Sequence, residues 1–514
     1  MTNRLRTSTT PWAVAVGVVL LIAGLALRIQ VLRSGSSGWL NADEAATGIM
    51  AMDILHGQFP VVIVGNAYTA VFESYLFAPF IALFGAHVLP LKLISVVFWG
   101  LAALIMVGAA RQVMGKAGAG LAGALVWLAP GALLVLSTQA YAGYALGLAV
   151  VAATIWSLFL TVGYLEPVAR QSALTGALLG LSFYVHPMFL SVVVPGALVL
   201  SIRHFSRLRR WWVPAVGAAL AVNIPFLVWN ATNGFPSLEI SATYQGSYWD
   251  RLEGFLKGLM PRVFGLRDGA GTWILGRPAG VALYGLALIA VAAGAVVLSR
   301  RGWKGAVAVA TVILVWPLMA LFSAHGYVLD GRYGIVPFVP VVLCVAAAVD
   351  AATMALIRRF RRTRSMDLEL VPGNGSKRLA GAVAMFVGVL WLVFSIPYLD
   401  RVVGAAVSDP NASINALVTY LDEEGFDRIA GSYWVIQSVE YMTDGRIPGA
   451  AASPWPIRSP RFQEIVESSP PKDVAHVFTS DDEWVWTLPL PIEAYQRRIV
   501  DGFIVYVPSN RPRG

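Results

Sequence analysis

Apolar residues in this chain fall in long unbroken runs, not in the three-and-four spacing of a surface helix. Runs of about 18 or more such residues read as membrane-spanning helices. Eleven are expected, at 11–32, 91–110, 118–136, 143–163, 172–186, 188–202, 212–229, 278–299, 305–324, 336–357 and 379–397. The fifth and sixth are short and suit tilted or half-crossing helices. Residues 71–84 are also apolar but hold Glu73 and Pro79, and are expected to lie in the membrane interface. If they crossed, Arg111 and Lys116 would fall on the outer face and every later loop would invert.

The polar residues between the runs sort by sign. One side carries Arg4 and Arg6, Arg111 and Lys116, Arg170, Arg203 to Arg210, Arg300, Arg301 and Lys304, and the basic cluster from Arg358 to Arg378. By the positive-inside rule that side is cytoplasmic. The other side carries Asp43, Glu44, Asp53, Glu73, Glu239, Asp250, Glu253, Asp268, Asp330 and everything after Tyr398. An odd number of spans puts the N-terminus inside and the tail outside, in agreement with the charges. Residues 358–378 are expected as a charged, disordered linker.

Composition supports this class. The 514 residues are 57% hydrophobic and 13% charged, with a mean hydropathy of +0.67. The net charge of +9 follows from basic membrane-flanking loops, so it speaks for orientation and against nucleic-acid binding. A single cysteine, Cys344, leaves no disulfide framework and no cysteine metal site. The first run is too long for a signal peptide and is expected to be an uncleaved anchor. Localisation is therefore expected in the cell membrane, multi-pass.

Two units follow, a mostly α transmembrane domain at 1–397 and a small α/β domain outside the cytoplasm at 398–514. Within the latter, 415–424 is helix-like and 428–431, 474–478 and 502–507 are strand-like. No internal repeat of the transporter kind is present. Three outer segments, 33–90, 231–276 and 324–334, are too long to be mere connections.

The first of these holds the stretch 41–57, NADEAATGIMAMDILHG, which reads as a short helix with Ala45, Ile49, Met52 and His56 on one face and a stop at Gly57. Asp43 and Glu44 open it. One reading is structural: Asn41 caps the helix, Glu44 completes a capping box, and Asp43 favours the helix dipole. The other is chemical. A carboxylate suits removal of a proton from an attacking hydroxyl, and guanidinium or ammonium groups on the same side suit a phosphate leaving group. That combination fits transfer of a group from a lipid phosphate to a hydroxyl outside the cytoplasm.

The order of several short motifs makes the resemblance specific. The Asp43-Glu44 pair follows the first run, then come Phe72-Glu73-Ser74-Tyr75-Leu76, Leu83-Phe84-Gly85, Leu91-Lys92-Leu93, Gly180-Leu181-Ser182-Phe183 with His186-Pro187, Trp229-Asn230 with Asn233-Gly234, and Arg332-Tyr333 before Pro337. The chain resembles GT-C glycosyltransferases, in the branch of protein O-mannosyltransferases and the lipid A aminoarabinose transferase, over about residues 1–400. The resemblance implies a polyprenyl-monophosphate sugar donor, an inverting transfer, Asp43 as catalytic base and Glu44 assisting it. It also implies that Arg332, Tyr333, Lys92 and Arg262 hold the donor phosphate or lipid, with Glu73, His186, His325 and Asn233 as substrate contacts. The acceptor would be a glycan, lipid or protein hydroxyl. Many relatives carry a second acidic residue where this chain reads Ser137 to Tyr144 with no carboxylate. That weakens the case for a divalent metal, and no cofactor is expected.

Structural alternatives stand beside these roles. Arg332 and Lys92 could snorkel at helix ends, and His186 and His325 could be satisfied polar residues. In the tail, Tyr433 and Trp434 are candidates for stacking on a sugar. A transporter or flippase of a lipid-linked saccharide is the competing function, but it calls for ionisable residues near mid-span, where these runs have almost none. A non-enzymatic scaffold is a third reading, and a nucleotide-sugar enzyme lacks a phosphate-cradling glycine loop.

Overall fold

The structure is a computed structural model that describes residues 11–239, 246–324, 331–364, 374–453, 455–483 and 489–509. The anchor helix α1 (Pro11–Leu32) leads to α2 (Ala42–Leu55), a small hairpin of β1 (Val62–Ile63) and β2 (Asn66–Ala70), and the short apolar α3 (Phe72–Phe84). Then come α4 (Val88–Ala110), α5 (Lys116–Leu128), α6 (Ala132–Leu136), α7 (Ala145–Gly163), α8 (Ala169–Val185), α9 (Leu190–Arg203), α10 (Leu208–Val222) and α11 (Ile224–Thr232). Two short helices, α12 (Tyr248–Glu253) and α13 (Met260–Val263), precede α14 (Arg277–Ser299), α15 (Gly302–Phe322), α16 (Ile335–Arg364) and α17 (Asn374–Tyr398).

Helices that are apolar on every side belong at the centre of a bundle, and α7, 83% of whose apolar stretch is buried, sits there against α4 and α8. In contrast α14, with 11% buried, lies on the rim against α16. Small residues let these helices meet backbone to backbone. A methyl added at Gly294 would fall 1.8 Å from the Cys344 carbonyl oxygen, and one at Gly176 would fall 2.0 Å from that of Ala215.

Among the described residues, seven of the eleven expected spans are helices long and apolar enough to cross a membrane alone, or eight if a bent pair counts as one span. The other stretches are interrupted for local reasons. The expected span 118–136 is cut between α5 and α6 at Ala129, Pro130 and Gly131, where Ala129 and Gly131 both have positive φ. The stretch 212–229 is cut at Asn223, just before Pro225 at the start of α11. Between Pro187–Arg203 and Phe205–Val222 the chain turns through 85°. The expected linker 358–378 is helical up to Arg364 and again from Asn374, and its middle lies outside the described residues.

The tail folds as α18 (Ala412–Glu423), β3 (Ile429–Gly431), α19 (Tyr433–Met442), β4 (Gly449–Ala451), α20 (Pro460–Glu467), β5 (Ala475–Phe478), β6 (Tyr495–Val500) and β7 (Phe503–Pro508). The sheet order is β4-β3-β5-β7-β6, with the first three strands parallel and the last two antiparallel. Leu417, Leu421, Ile429, Val435, Ile436, Val439, Val477 and Val505 form its core. Helices α19 and α20 and strands β4 and β6 were not expected from the sequence.

This domain rests on α2. Ser438 donates to the Leu40 carbonyl at 3.0 Å, Tyr441 to that of His87 at 3.2 Å, and Arg461 pairs with Asp53 at 2.7 Å. Helix α2 is consequently buried all round from Glu44 to Met52, not on one face, while His56 is exposed. Gly48 makes the contact feasible, because a methyl there would lie 2.3 Å from the Tyr441 ring. Gly48→Ala should destabilise the protein by about 1–3 kcal/mol through overpacking, read as a lower thermal midpoint in detergent; an unchanged midpoint contradicts the contact.

On α19 Glu440 is buried and accepts hydrogen bonds from the Gly449 amide at 2.9 Å and the Ser459 hydroxyl at 3.1 Å. Burial pushes its carboxyl up from 4.5 to about 8, and these two donors only partly oppose it. Its contribution to stability is thus complete below about pH 4.5 and is lost as pH rises through about 8. The thermal midpoint should fall between pH 5 and pH 9, and fall less in Glu440→Gln; an equal fall in both contradicts the assignment.

Candidate active site

The start of α2 sorts its two acids onto different sides. Asn41 has extended backbone, its side chain accepts from the Glu44 amide at 3.1 Å, and the Glu44 carboxylate accepts in return from the Asn41 amide at 3.4 Å. The capping box is therefore present. Glu44 points inward, with Lys92 Nζ 2.6 and 2.8 Å from its two oxygens and the Ala140 amide donating at 2.7 Å. Both side chains of this pair are almost fully excluded from solvent, Glu44 at 0% and Lys92 at 1% exposure.

Asp43, one residue earlier, faces away from that anchor. Its Oδ2 accepts from Arg332 Nη1 at 3.3 Å and its Oδ1 from the Tyr433 hydroxyl at 2.9 Å. About 30% of each of Asp43 and Arg332 remains open, so the pair is accessible. Arg332 begins a single turn, Arg332–Gly334, that leads into α16. The preceding Gly331 has a φ of +78°, and a methyl on it would lie 2.8 Å from Ala132, so a glycine is what allows this turn to sit against α6. The Arg332 guanidinium carbon is 5.8 Å from the centre of the Tyr141 ring.

Tyr141 belongs to the segment 137–144, the one without a carboxylate. It is held instead by acids from elsewhere. Glu44 takes the Ala140 amide, and Glu73 takes the amides of Gly143 and of Leu146, the latter at 3.1 Å, in the first turn of α7. Burial pushes the Glu73 carboxyl up to about 7 against those two amides. Asn41 reaches the same segment, donating to Gln139 at 3.0 Å and to the Tyr141 hydroxyl at 2.7 Å.

The remaining candidates divide. His186 lies on an aromatic wall continuing from Tyr141, with Tyr144 6.1 Å away and Tyr68 5.8 Å away, and one ring nitrogen accepts the Met188 amide at 3.2 Å. Tyr333 is half-buried against the bundle core. Arg262 packs its stem against Gly331, but its guanidinium donates to the carbonyls of Gly258 and Gly269 at 2.6 and 2.9 Å. Asn233 is exposed and donates to the Trp229 carbonyl at 2.7 Å, a local cap of α11. Glu44, expected to assist Asp43, and Lys92, expected at the phosphate, are instead closed on each other. His325 lies outside the described residues, as does Asp330. Among the described residues no three His, Cys, Asp or Glu side chains gather as a metal ion would require. Neither the link from Tyr433 to Asp43 nor the place of Tyr141 carried any local sequence signal.

No family model matches the sequence, and no curated protein does. Solved structures do. ArnT from Cupriavidus metallidurans in the apo state superposes with a TM-score of 0.62 at 14% identity, over 96% of this chain and 97% of that one. The same enzyme bound to undecaprenyl phosphate gives 0.61 at 14%, over 97% and 98%. The archaeal oligosaccharyltransferase AglB from Archaeoglobus fulgidus, in complex with an inhibitory peptide and a dolichol-phosphate, gives 0.54 at 13%, over 98% of this chain and 75% of that one. This chain has the GT-C glycosyltransferase fold. Seven long apolar helices among the described residues, together with these membrane-protein neighbours, make it a multi-pass membrane protein, and the likeness extends through the tail, since nearly the whole chain is covered.

Within this GT-C scaffold the Glu44–Lys92 pair is an anchor, and removing one partner leaves the other charge buried. Glu44→Gln or Lys92→Met alone should cost about 3–5 kcal/mol, and the double variant should recover most of it. Thermal unfolding of the three variants checks this; single and double variants that lose equally contradict the pairing.

Proposed function

We propose that this chain is an integral membrane glycosyltransferase that moves a sugar from a polyprenyl-monophosphate donor to a hydroxyl on the non-cytoplasmic side of the membrane, with inversion and with Asp43 as base. The reading rests above all on the 3.3 Å approach of Asp43 and Arg332, 289 residues apart in sequence and both reachable from solvent. A proton acceptor and a permanent cation at one point are what displacement of a phosphate by a hydroxyl needs.

The steps balance as follows. The acceptor oxygen attacks the anomeric carbon of the donor while Asp43 takes its proton. The bond between that carbon and the phosphate oxygen breaks, and its electron pair leaves with the phosphate. The lipid phosphodiester, with one negative charge, becomes a monoester carrying more, and Arg332 stabilises the added charge. The donor phosphate competes with Asp43 for this guanidinium. When Arg332 turns to the phosphate, Oδ2 of Asp43 is left open for the acceptor hydroxyl. The aromatic wall of Tyr141, Tyr144, His186 and Tyr68 runs on from Arg332 and suits the sugar or the lipid stem. The relatives' printed ligands, undecaprenyl phosphate and dolichol-phosphate, agree with such a donor.

The orientation proposed keeps the basic loops in the cytoplasm and the site, with residues 398–514, outside it. Arg28, buried in α1, is stacked 4.0 Å over the Trp127 ring instead of lining a flippase path.

Membranes carrying the protein should transfer radiolabelled sugar from a polyprenyl-phosphate donor. Asp43→Asn and Arg332→Ala should each lower that transfer by about 100-fold or more, with thermal midpoints close to the parent's. Full transfer by Asp43→Asn overturns the assignment of the base.

A further inference from the structure

The other oxygen of Asp43 is held by the tail. Tyr433 is the first residue of α19, and its hydroxyl lies 2.9 Å from Asp43 Oδ1 across 390 residues of sequence. The ring is 2% exposed, stacked on Trp455 at 5.9 Å with 19° between planes, and packed on Ala42, the residue before Asp43. Arg458, whose positive charge acts on this hydroxyl, donates its Nη1 to the Val64 carbonyl at 2.6 Å. A carboxylate can only accept, so the one O–H of Tyr433 is directed to Asp43.

We propose that Tyr433 is a positioning residue for Asp43, supplied by the C-terminal domain, so that the base is aimed only while that domain is docked on α2. This inference rests on the transferase reading above. It assigns the tail a part in the reaction itself. When Arg332 leaves Asp43 for the donor phosphate, the Tyr433 O–H remains on Oδ1 and keeps the carboxylate from rotating away as Oδ2 receives the acceptor's proton. Burial, with Asp43 adding to it, drives the Tyr433 hydroxyl well above the ordinary tyrosine value, so it keeps the proton it donates. Small misplacements of a reacting group are costly, up to about 100-fold for a displacement near 1 Å.

The same helix supplies an internal control. Tyr441 is buried, also crosses to the membrane domain, and donates to the His87 carbonyl at 3.2 Å, but it does not touch Asp43. Tyr433→Phe and Tyr441→Phe each delete one cross-domain hydroxyl and keep the ring. The full chain in membranes is assayed with undecaprenyl-phosphate carrying labelled mannose or arabinose, with kcat and donor KM measured for whichever is turned over. Tyr433→Phe should lower kcat by about 10- to 100-fold with donor KM within about twofold, while Tyr441→Phe leaves both unchanged and shifts the thermal midpoint at least as much. Parental kcat in Tyr433→Phe, or an equal kcat loss in both variants, overturns the positioning role and leaves the transferase reading intact. A parent protein that turns over neither donor overturns that reading for these sugars, and the inference with it.

Discussion

The arrangement depends on one buried ion pair. Glu44 and Lys92, closed at 2.6 Å and sealed from solvent, tie the first turn of α2 to α4 and, through the Ala140 amide, to the segment before α7. Two charges are withdrawn from water together, so each is tolerable only while the other is in place. Since consecutive helical residues point about 100° apart, fixing Glu44 inward fixes Asp43 outward. The neighbouring acids are thus a rigid handle and an accessible group, and the second role is possible because the first is filled.

Around that handle the site draws on distant parts of the chain. Asp43 comes from the first outer segment, Arg332 from the turn before α16, Tyr141 from the segment before α7, and Tyr433 from the tail. Buried acids again do the fastening: Glu73 holds the start of α7, and Glu440 ties α19 to β4 and Ser459. A carboxylate that satisfies backbone amides ties the segment supplying them to its own helix. The tail docks on α2 by shape as much as by charge, through the Gly48 gap that admits Tyr441.

Much of this was legible in the sequence, and the parts that were not share a physical cause. Long apolar runs gave the membrane class and seven clear spans, because hydrophobic length is a local property. The breaks at Pro130 and Asn223 were hidden inside runs that stayed apolar on both sides. Asp43 and Arg332 were singled out by charge and order, and the structure brings them within 3.3 Å. That Glu44 and Lys92 close on each other was not legible, because a lysine 48 residues away betrays nothing about which acid it faces. Asn233 proved a local cap, and Arg262 turned to backbone carbonyls, outcomes set by side-chain direction and not by residue type. In the tail one helix and three strands were visible as amphipathic or β-rich segments, whereas α19 was missed although it carries the residue that touches Asp43.

The central claim is that the cation beside Asp43 exists to receive a lipid phosphate. Arg332 keeps about 30% of its side chain open, lies 3.3 Å from Asp43, and has the Tyr141 ring 5.8 Å away. Direct titration of the detergent-solubilised full chain with undecaprenyl phosphate, followed by tryptophan fluorescence, tests it without any need to know the acceptor. Saturable binding by the parent protein is expected, with at least about tenfold weaker binding by Arg332→Gln, in line with the loss of a charge-assisted contact. Equal binding by the two proteins would contradict it.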